Sequence, residues 1–402
     1  MHDLLFIGME HWDEVWRRSQ SLAAGLARRF PEHKILFVSL PVDFSHAIRA
    51  GRWEVIRKGA RPVPPQPVPG LPNIFVFHPV KLLPHTILPC RLLSEARIRA
   101  QIRSAARALG MEKPLLWIKP HWAAHMVGRM GERAVVYDVG DDWSAISQPA
   151  FAKRRTVAED AYLTRRADAV IVVSERLREQ KAALIDHVNV IPNGVEAERY
   201  APICERTLPP HPLTQGWTRP VLGYTGMLHP DRLDIDLLVA AARAFPEGTV
   251  ALVGPNMLDE GRQRRLEAEP NIRLTGPVAH SELPPVMTAF DVCIVPNLVN
   301  AFSESQNPLK LFEYLASGLP TVSTPVSGFR DYPDLVYLAD TREAFVAAIR
   351  AALVESPELP PRRRLAVQEQ TWEARVDAVL RVFDSLPSSP SSPSMALTSS
   401  RQ

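Results

Sequence analysis

The chain has 402 residues, of which 46% are hydrophobic and 23% charged. This length and hydrophobic content exclude a wholly disordered or fibrous chain and favour two globular domains, because a single core rarely grows beyond about 300 residues. The formal net charge is only +3, but residues 1–200 have 29 basic and 21 acidic side chains, whereas the remainder has a net charge of −5.

Short apolar runs alternate with helical patterns through the first half of the chain, which is typical of βα units that build a parallel sheet. The predicted strands are residues 4–8, 35–40, 74–77, 115–118, 135–138 and 169–173. Helices are predicted over 14–29 and 92–109, and a third ends near 166. We therefore predict an α/β domain of Rossmann type over residues 1–205.

The same pattern restarts after a proline-rich stretch, residues 206–220, which we interpret as the domain linker. The predicted strands of this half are residues 221–224, 250–253, 272–274, 292–295 and 321–322. They define a second Rossmann-like domain over 221–361. The periodicity of 362–386 predicts one long helix that packs back across the domains, and the small polar residues of 387–402 predict a disordered tail.

Ligands of open α/β sheets bind outside the carboxyl ends of the strands, so the loops that follow strands hold the candidate residues. In the second domain, Gly226 allows a close approach of the backbone to a phosphate, and Arg232 adds a positive charge. Asn307 is predicted to cap a helix with Pro308 at its first position. Lys310 and Glu313 then share one face of this helix, where a cation suits a diphosphate and a carboxylate suits ribose hydroxyls.

An acidic loop, Asp138 to Asp142, follows a first-domain strand. Its aspartates are candidates for a helix cap, a general base or, less readily, ligands of a divalent metal. His121 also follows a strand, and it is either structural or a hydrogen-bonding partner of a substrate hydroxyl.

Several segments together resemble the GT-B glycosyltransferases, in particular the family-four type (glycosyl transferases group 1). The segments are Ala-Asp-Ala-Val-Ile-Val-Val-Ser at 167–174, Val-Ile-Pro-Asn-Gly-Val at 190–195, residues 271–276, Phe-Asp-Val at 290–292 and Pro-Leu-Lys-Leu-Phe-Glu-Tyr-Leu-Ala-Ser-Gly-Leu-Pro at 308–320. The resemblance implies two Rossmann-like domains that face each other across a cleft, with the donor in the second, the acceptor in the first, and a last helix that crosses back.

The resemblance also implies site residues. The predicted donor-binding residues are Gly226, Met227, Arg232, Glu304, Asn307, Lys310 and Glu313. Three positions depart from the family pattern. Ser305 stands where the first of two glutamates is usual, with Glu304 beside it, and Met227 stands where one of two phosphate-binding cations is usual. In the first loop, Met9 follows Gly8 where a double glycine is usual. The chain also resembles, more weakly, the xanthan glucuronosyltransferase at Met227-Leu228, at Lys310 and in the Gly140-Asp141 loop. That protein is an inverting GT-B enzyme whose base is an aspartate in this loop. We predict Asp141 as the catalytic residue, and His121 and Trp12 as acceptor or sugar contacts.

The resulting hypothesis is a nucleotide-sugar-dependent glycosyltransferase of cell-surface polysaccharide or glycolipid biosynthesis. It needs no metal and no cofactor, because the second domain supplies positive charge opposite the donor phosphates. Two alternatives stay open: a nucleotide-sugar 2-epimerase of the same architecture, and a noncatalytic carbohydrate- or nucleotide-binding scaffold.

The expected location is the cytoplasm, since no run of 18 uncharged apolar residues occurs and the three cysteines, Cys90, Cys204 and Cys293, fit neither a disulfide framework nor a zinc site. Residues 79–109 are basic and amphipathic. They are either the buried face of a helix or a surface that binds an anionic membrane and admits a lipid-linked acceptor. A peripheral position at the inner face of the plasma membrane follows from the second interpretation. No nucleic-acid partner is expected.

Overall fold

The computed structural model describes residues 2–13, 15–49, 51, 53, 61–84, 87–205 and 207–387. Of the predicted tail, only Pro387 is among these residues, and Glu14, the first residue of the first predicted helix, is not. None of the helices in the described ranges is long and apolar enough to cross a membrane.

The first half of the chain forms an eight-stranded sheet, with strand order β10-β9-β8-β7-β1-β2-β5-β4, and a small sheet of β3 and β6. Its strands are β1 Leu4–Ile7, β2 Ile35–Val38, β3 Val42–Asp43, β4 Gln66–Val68, β5 Leu71–Phe77, β6 Val80–Lys81, β7 Leu115–Ile118, β8 Ala134–Val139, β9 Ala169–Val172 and β10 Asn189–Val190. Its helices are α1 Arg18–Arg29, α2 Phe44–Arg49, α3 Leu88–Ala108, α4 Ala150–Arg166 and α5 Glu175–Ala182, with a 3₁₀ helix at His121–Met126.

The second half forms a six-stranded parallel sheet with strand order β13-β12-β11-β14-β15-β16. Its strands are β11 Val221–Thr225, β12 Thr249–Val253, β13 Ile272–Gly276, β14 Val292–Val295, β15 Thr321–Ser323 and β16 Tyr337–Leu338. Its helices are α6 Ala197–Cys204, α7 Ile235–Ala244, α8 Glu260–Glu267, α9 Leu283–Met287, α10 Ala301–Ser305, α11 Leu309–Ser317, α12 Arg342–Ala352, α13 Leu359–Val367 and α14 Trp372–Asp384, with 3₁₀ helices at Pro212–Thr214 and Phe329–Asp331.

Four strands in the middle of the sheets, β1, β2, β7 and β14, are apolar along their whole length, as expected for strands with both faces covered. In β1, Leu5 and Ile7 belong to one core and Leu4 and Phe6 to the other, as expected when successive side chains point to opposite faces. The α/β fold class predicted from these runs is confirmed. The carboxyl ends of the parallel strands of both sheets meet at the space between the domains.

The end of the chain returns to the first domain, as predicted, but through two helices rather than one. The predicted helix 362–386 is interrupted between α13 and α14, where Thr371 caps α14 by accepting a hydrogen bond from the N–H of Ala374. Val367 of α13 lies in the second domain's core, whereas Val376 and Val379 of α14 pack with residues of α1. Sequence periodicity did not show this interruption because both sides of it are amphipathic.

The chain enters the second domain earlier than the sequence suggested. Val195, and Tyr200 and Ile203 of α6, lie in one core with residues of β11 and α11. The predicted linker 206–220 thus follows a helix that already packs on the second domain.

Candidate functional site

A cleft with a volume of about 390 Å³ lies between the two domains. Residues from the ends of β1, β7 and β8 line it on one side, and residues from the ends of β11, β12 and β14 line it on the other. This volume is within the range of ordinary small-molecule sites, roughly 300 to 1,000 Å³. The cleft holds most of the residues that the sequence singled out.

Lys310 lies in the first turn of α11 and is 7% exposed. Its Nζ is 3.6 Å from the ring centre of Tyr224 and has no hydrogen-bond acceptor among the described residues. Burial, with Arg232 nearby, lowers the pKa of Lys310 well below its ordinary value. An unsatisfied buried ammonium is costly, so this site is built to receive an anion.

Glu313 lies one turn further along α11 and also lines the cleft. Burial raises the pKa of its carboxyl group, while Lys310 acts in the opposite direction. Tyr200 of α6 lies behind it, and burial together with the charge of Glu313 raises the pKa of the Tyr200 hydroxyl. The structure thus brings Lys310 and Glu313 together, as their spacing predicted.

Arg232 supplies the second cation of the cleft. Its guanidinium lies over the ring of Phe302, 5.6 Å from the ring centre, and its buried Nε has no partner in the described part of the chain. Burial, with this arginine nearby, lowers the pKa of His229, which keeps that imidazole neutral near pH 7. Met227 lines the cleft beside them.

Gly226 lines the cleft as predicted, but its N–H is not free. It donates a 2.8 Å hydrogen bond to the carbonyl of Val253. What glycine provides here is room: the residue has φ +120°, and a Cβ would lie 3.2 Å from Lys310 Nζ. Gly254 likewise leaves no space for a side chain, because a Cβ there would lie 2.2 Å from the carbonyl oxygen of Gly226. Both positions exclude side chains from the floor of the site.

Asn307 does not cap α11, in contrast to the prediction. The helix begins at Leu309 after Pro308, and the Asn307 side chain accepts a 2.7 Å hydrogen bond from the N–H of Asn193 instead. Asn193 in turn donates through Nδ2 to the carbonyl of Asn307 at 2.5 Å. Asn307 thus binds the end of the first domain to the start of α11.

Asp141 faces the cleft from the first domain. Gln306 of the second domain donates a 2.6 Å hydrogen bond to its Oδ1. Burial raises the pKa of Asp141, and the hydrogen bond and the charges of Arg232 and Lys119 act against that rise. A carboxylate with a raised pKa is a better proton acceptor than an exposed one.

Asp138 has a structural role. It is fully buried, and Arg18 binds it through Nε and Nη2 at 3.1 to 3.2 Å. Lys119 Nζ lies 3.7 Å away. Although burial opposes ionisation, Arg18 and Lys119 lower the pKa of Asp138, so it stays charged.

Asp142 does not cap α4, whose N-cap position is Pro149. It binds the N–H and hydroxyl of Ser144, and Gln180 donates to its other oxygen at 3.0 Å. In the described ranges, no group of three or more His, Cys, Asp or Glu side chains is arranged to hold a metal ion.

Three predicted residues lie outside the cleft. Glu304 pairs with Arg330. Trp12 packs edge-on against Phe37, with ring centres 4.9 Å apart, and its neighbour Trp16 lines the cleft instead. His121 lines a smaller adjacent cavity.

Among the cleft residues that sequence reasoning missed are Gln306, Lys119, Trp16 and His280. Gln306 and Lys119 stand directly beside residues that it selected, Asn307 and the loop of His121, so their positions at strand and helix ends were available signals. The ring of Trp16 stacks on His280 across the domains, with centres 6.2 Å apart, and burial lowers the pKa of His280 to about 4. No sequence pattern indicates a contact of this kind.

The chain is similar in sequence to known glycosyltransferases. Residues 219–355 match the family Glycosyl transferases group 1. A protein of Bacillus subtilis (strain 168) named as a teichuronic acid biosynthesis glycosyltransferase, TuaH, is 33% identical over an alignment of 202 residues that covers 47% of this chain. The match spans half the length of that relative.

Solved structures show the same fold over nearly the whole chain. Sucrose-phosphate synthase of Thermosynechococcus elongatus superposes with a TM-score of 0.68 at 17% identity, over 96% of this chain and 98% of its own. HepE of Anabaena, in complex with UDP and glucose, gives a TM-score of 0.64 at 16% identity, over 96% and 100%. The resemblance seen in the sequence is thereby confirmed: the chain has the GT-B fold of glycosyltransferases, and its second domain matches group 1 of that class.

Proposed function

We propose that the chain is a glycosyltransferase that moves a sugar from a nucleotide-sugar donor to a saccharide acceptor. The observation that carries the proposal is the buried, unsatisfied ammonium of Lys310. It lies beside Arg232 and Glu313 in a cleft whose volume is that of an ordinary small-molecule site. Two cations suit a nucleoside diphosphate, and a carboxylate one helical turn away suits ribose hydroxyls.

A uridine nucleotide is the favoured donor nucleotide. HepE, which shares the fold, was solved with UDP and glucose. A role in cell-surface polysaccharide biosynthesis is supported by the name of the Bacillus relative, a teichuronic acid biosynthesis glycosyltransferase.

In the proposed reaction, the bond between the anomeric carbon and the phosphate oxygen breaks, and a bond from an acceptor oxygen to that carbon forms. Lys310 and Arg232 stabilise the departing diphosphate, whose charge grows in the transition state. The acceptor hydroxyl loses its proton to Asp141, whose Oδ1 is held by Gln306. Attack from the face opposite to the leaving phosphate gives inversion at the anomeric carbon. Attack from the same face, with transfer of the proton to the departing phosphate, would give retention.

We also propose that the reaction needs no metal ion, because Lys310 and Arg232 supply the positive charge. Transfer should persist in EDTA. Activity that disappears in EDTA and returns with magnesium or manganese would contradict this.

Nucleotide binding tests the donor site directly. UDP, GDP and ADP should be compared by calorimetry against the wild-type chain and Lys310→Met. Loss of the charged contact, about 1.5 to 3 kcal/mol, should weaken binding of the preferred nucleotide about ten- to a hundredfold. Lys153→Met, an exposed lysine of α4, is the matched control. Equal affinity in all three proteins would disprove the donor assignment.

A lipid-linked acceptor and a peripheral membrane position form the finer part of the proposal. The structure divides residues 79–109: Ile98 and Ile102 are buried in the first core, whereas Leu92 and Leu93 are 54% and 64% exposed on the outer face of α3. Arg97, one turn further on, is exposed on the same face. Apolar side chains beside an arginine suit the interface of an anionic bilayer.

Sedimentation with vesicles tests this surface. The wild-type chain should bind vesicles that contain phosphatidylglycerol at low salt and release them as salt rises. Leu92→Ser with Leu93→Ser should abolish binding, and Leu365→Ser, an equally exposed leucine of α13, should not. A wild-type chain that stays in the supernatant would indicate a soluble acceptor.

A further inference from the structure

A second cavity, of about 180 Å³, lies in the first domain beside the interdomain cleft. The acidic loop forms one wall, and α4, α5 and the 3₁₀ helix at His121–Met126 form the others. Its volume is well below the roughly 300 to 1,000 Å³ of sites for larger ligands. It therefore fits one small ring rather than several.

This cavity and the cleft share three lining residues: Tyr137, Asp141 and Trp143. A ring in the smaller cavity thus has Asp141 within its own walls, and Asp141 also faces the space beside Lys310. Of the three, Asp141 is the carboxylic acid, and burial raises its pKa. A ligand in this cavity is therefore placed to present a hydroxyl to a carboxylate that also faces the donor cleft.

We propose that this cavity is the acceptor subsite and binds the terminal ring of a neutral saccharide. The inference rests on the proposed transferase function and specifies the substrate class on its acceptor side.

The polar groups of the cavity suit hydroxyls. Thr156 Oγ1 is 3.3 Å from both His121 Nε2 and Gln148 Oε1, which is longer than the roughly 2.7 to 2.8 Å of a good O–H···O bond. Burial lowers the pKa of His121, so its neutral ring offers one donor and one acceptor. Sugar hydroxyls both donate and accept, and they can replace these long contacts.

The aromatic ring of Trp143 lies in the same wall as Asp142 and Ser144. A pyranose has an apolar face of C–H groups, whose burial against an aromatic ring is favourable. Polar side chains together with one aromatic wall are thus complementary to the two faces of a sugar.

The charges of the cavity exclude acidic ligands. Its acidic residues are Asp141, Asp142 and Asp160, and its one cation, Lys181, is already bound by both oxygens of Asp160. Tyr137 donates a further 2.7 Å hydrogen bond to Asp160. The excess of negative charge disfavours a uronate or a phosphorylated sugar, because like charges repel at short range.

Saccharide binding tests the assignment without any reaction. Saturation-transfer NMR should be recorded with UDP present, using methyl glycosides of glucose, galactose, mannose and N-acetylglucosamine, and methyl glucuronide as the acidic comparison. At least one neutral glycoside should bind, and methyl glucuronide should bind more weakly. Thr156→Val, which removes one hydroxyl at nearly constant shape, should weaken binding about two- to tenfold.

Two matched variants test the position. Val157 lies at the rim of the cavity, and Ala158 is exposed beside it and does not line the cavity. Val157→Trp should abolish glycoside binding, Ala158→Trp should preserve it, and both should bind UDP with wild-type affinity. If Val157→Trp binds the glycoside as well as Ala158→Trp does, the assignment is wrong.

The remaining outcomes are also decisive. Failure of every neutral glycoside to bind the wild-type chain, or tighter binding of methyl glucuronide, would overturn the assignment. Loss of UDP binding by the wild-type chain, with the glycoside result intact, would overturn the transferase proposal and leave a saccharide site.

Discussion

Asp141 is one of three aspartates in a loop of five residues, and its surroundings distinguish it from the others. Asp138 forms an ion pair with Arg18, and Asp142 accepts hydrogen bonds from Ser144 and Gln180. Only Asp141 combines a raised pKa with a position in both cavities. The sequence could not rank the three, because the partners that distinguish them, Arg18, Gln180 and Gln306, each lie more than 30 residues away in the chain.

Replacement of Asp141 by Asn should slow transfer about a hundred- to ten-thousandfold, the usual contribution of a positioned base. Calorimetry should show unchanged UDP affinity, and NMR of the wild-type product should show an inverted anomer. An Asn variant with near-normal turnover, or a retained anomer, would remove Asp141 from the role of base.

The affinity for UDP should depend on pH through Lys310. Burial lowers the pKa of this lysine in the empty cleft, whereas a bound diphosphate stabilises its ammonium form and raises that pKa. Binding then takes up a proton wherever the free lysine is neutral, so affinity should fall as pH rises through the pKa of the empty state. Above about pH 7 the nucleotide itself is fully ionised, since its last phosphate pKa is about 6.

Calorimetry between about pH 7.5 and 9.5 measures this slope, which cannot exceed tenfold per pH unit for one proton. His229, Arg232 and Glu313 line the same cleft, so substitution of Lys310 identifies the titrating group. The slope should disappear in Lys310→Met. A slope that persists in that variant would assign the titration to another group.

The contact between α14 and α1 holds α14 on the first domain. Gly25 of α1 faces Val376 of α14 so closely that a Cβ would lie 2.5 Å from Val376 Cγ2. Valine is stiff at χ1, so it cannot easily turn away. This glycine allows the two helices to approach closely.

Gly25→Ala should therefore lower the free energy of unfolding by about 1 to 3 kcal/mol, the usual cost of overpacking. The double variant Gly25→Ala with Val376→Ala should recover part of that loss. Urea denaturation measures both. A single variant as stable as the wild-type chain would show that α14 shifts without cost.

The central strands and the class of fold were predictable because buried parallel strands are apolar on both faces. Because ligands bind outside the carboxyl ends of parallel strands, the segments that follow the strands predicted that Gly226, Lys310 and Asp141 lie in one cleft. Features that depend on tertiary contacts were not predictable: the interruption between α13 and α14, the hydrogen bond between Asn307 and Asn193, and the packing of Trp12 against the core. Each depends on a partner that is remote in sequence.

Hydrogen bonds with residues of the second domain hold the loop that contains the proposed base, Asp141. Gln306 binds Asp141, the hydroxyl of Ser305 accepts the N–H of Asp142, and Asp231 accepts from the N–H and hydroxyl of Ser147. The position of Asp141 therefore depends on the domains being together. We expect Gln306 to be a positioning residue.

Gln306→Ala should raise the pKa of Asp141 further, because the lost hydrogen bond favours the charged carboxylate. A base must be deprotonated, so the acid limb of the pH–rate profile should move to higher pH. Gln263→Ala, on α8 and outside the cleft, is the control. A lower rate with an unmoved acid limb would indicate a merely structural role.

The two chain segments that join the domains lie side by side. Val195, on the way out of the first domain, forms a bridge with Thr371, on the way back, and a Cβ on Gly194 would lie 2.8 Å from the backbone nitrogen of Trp372. Topologically, the second domain is an insertion whose two ends are one strand spacing apart, about 4.8 Å. We therefore expect that the second domain of a related chain can replace residues 195–371 without added linker, and that such a chimera takes the donor nucleotide of the related chain if the proposed donor site is correct.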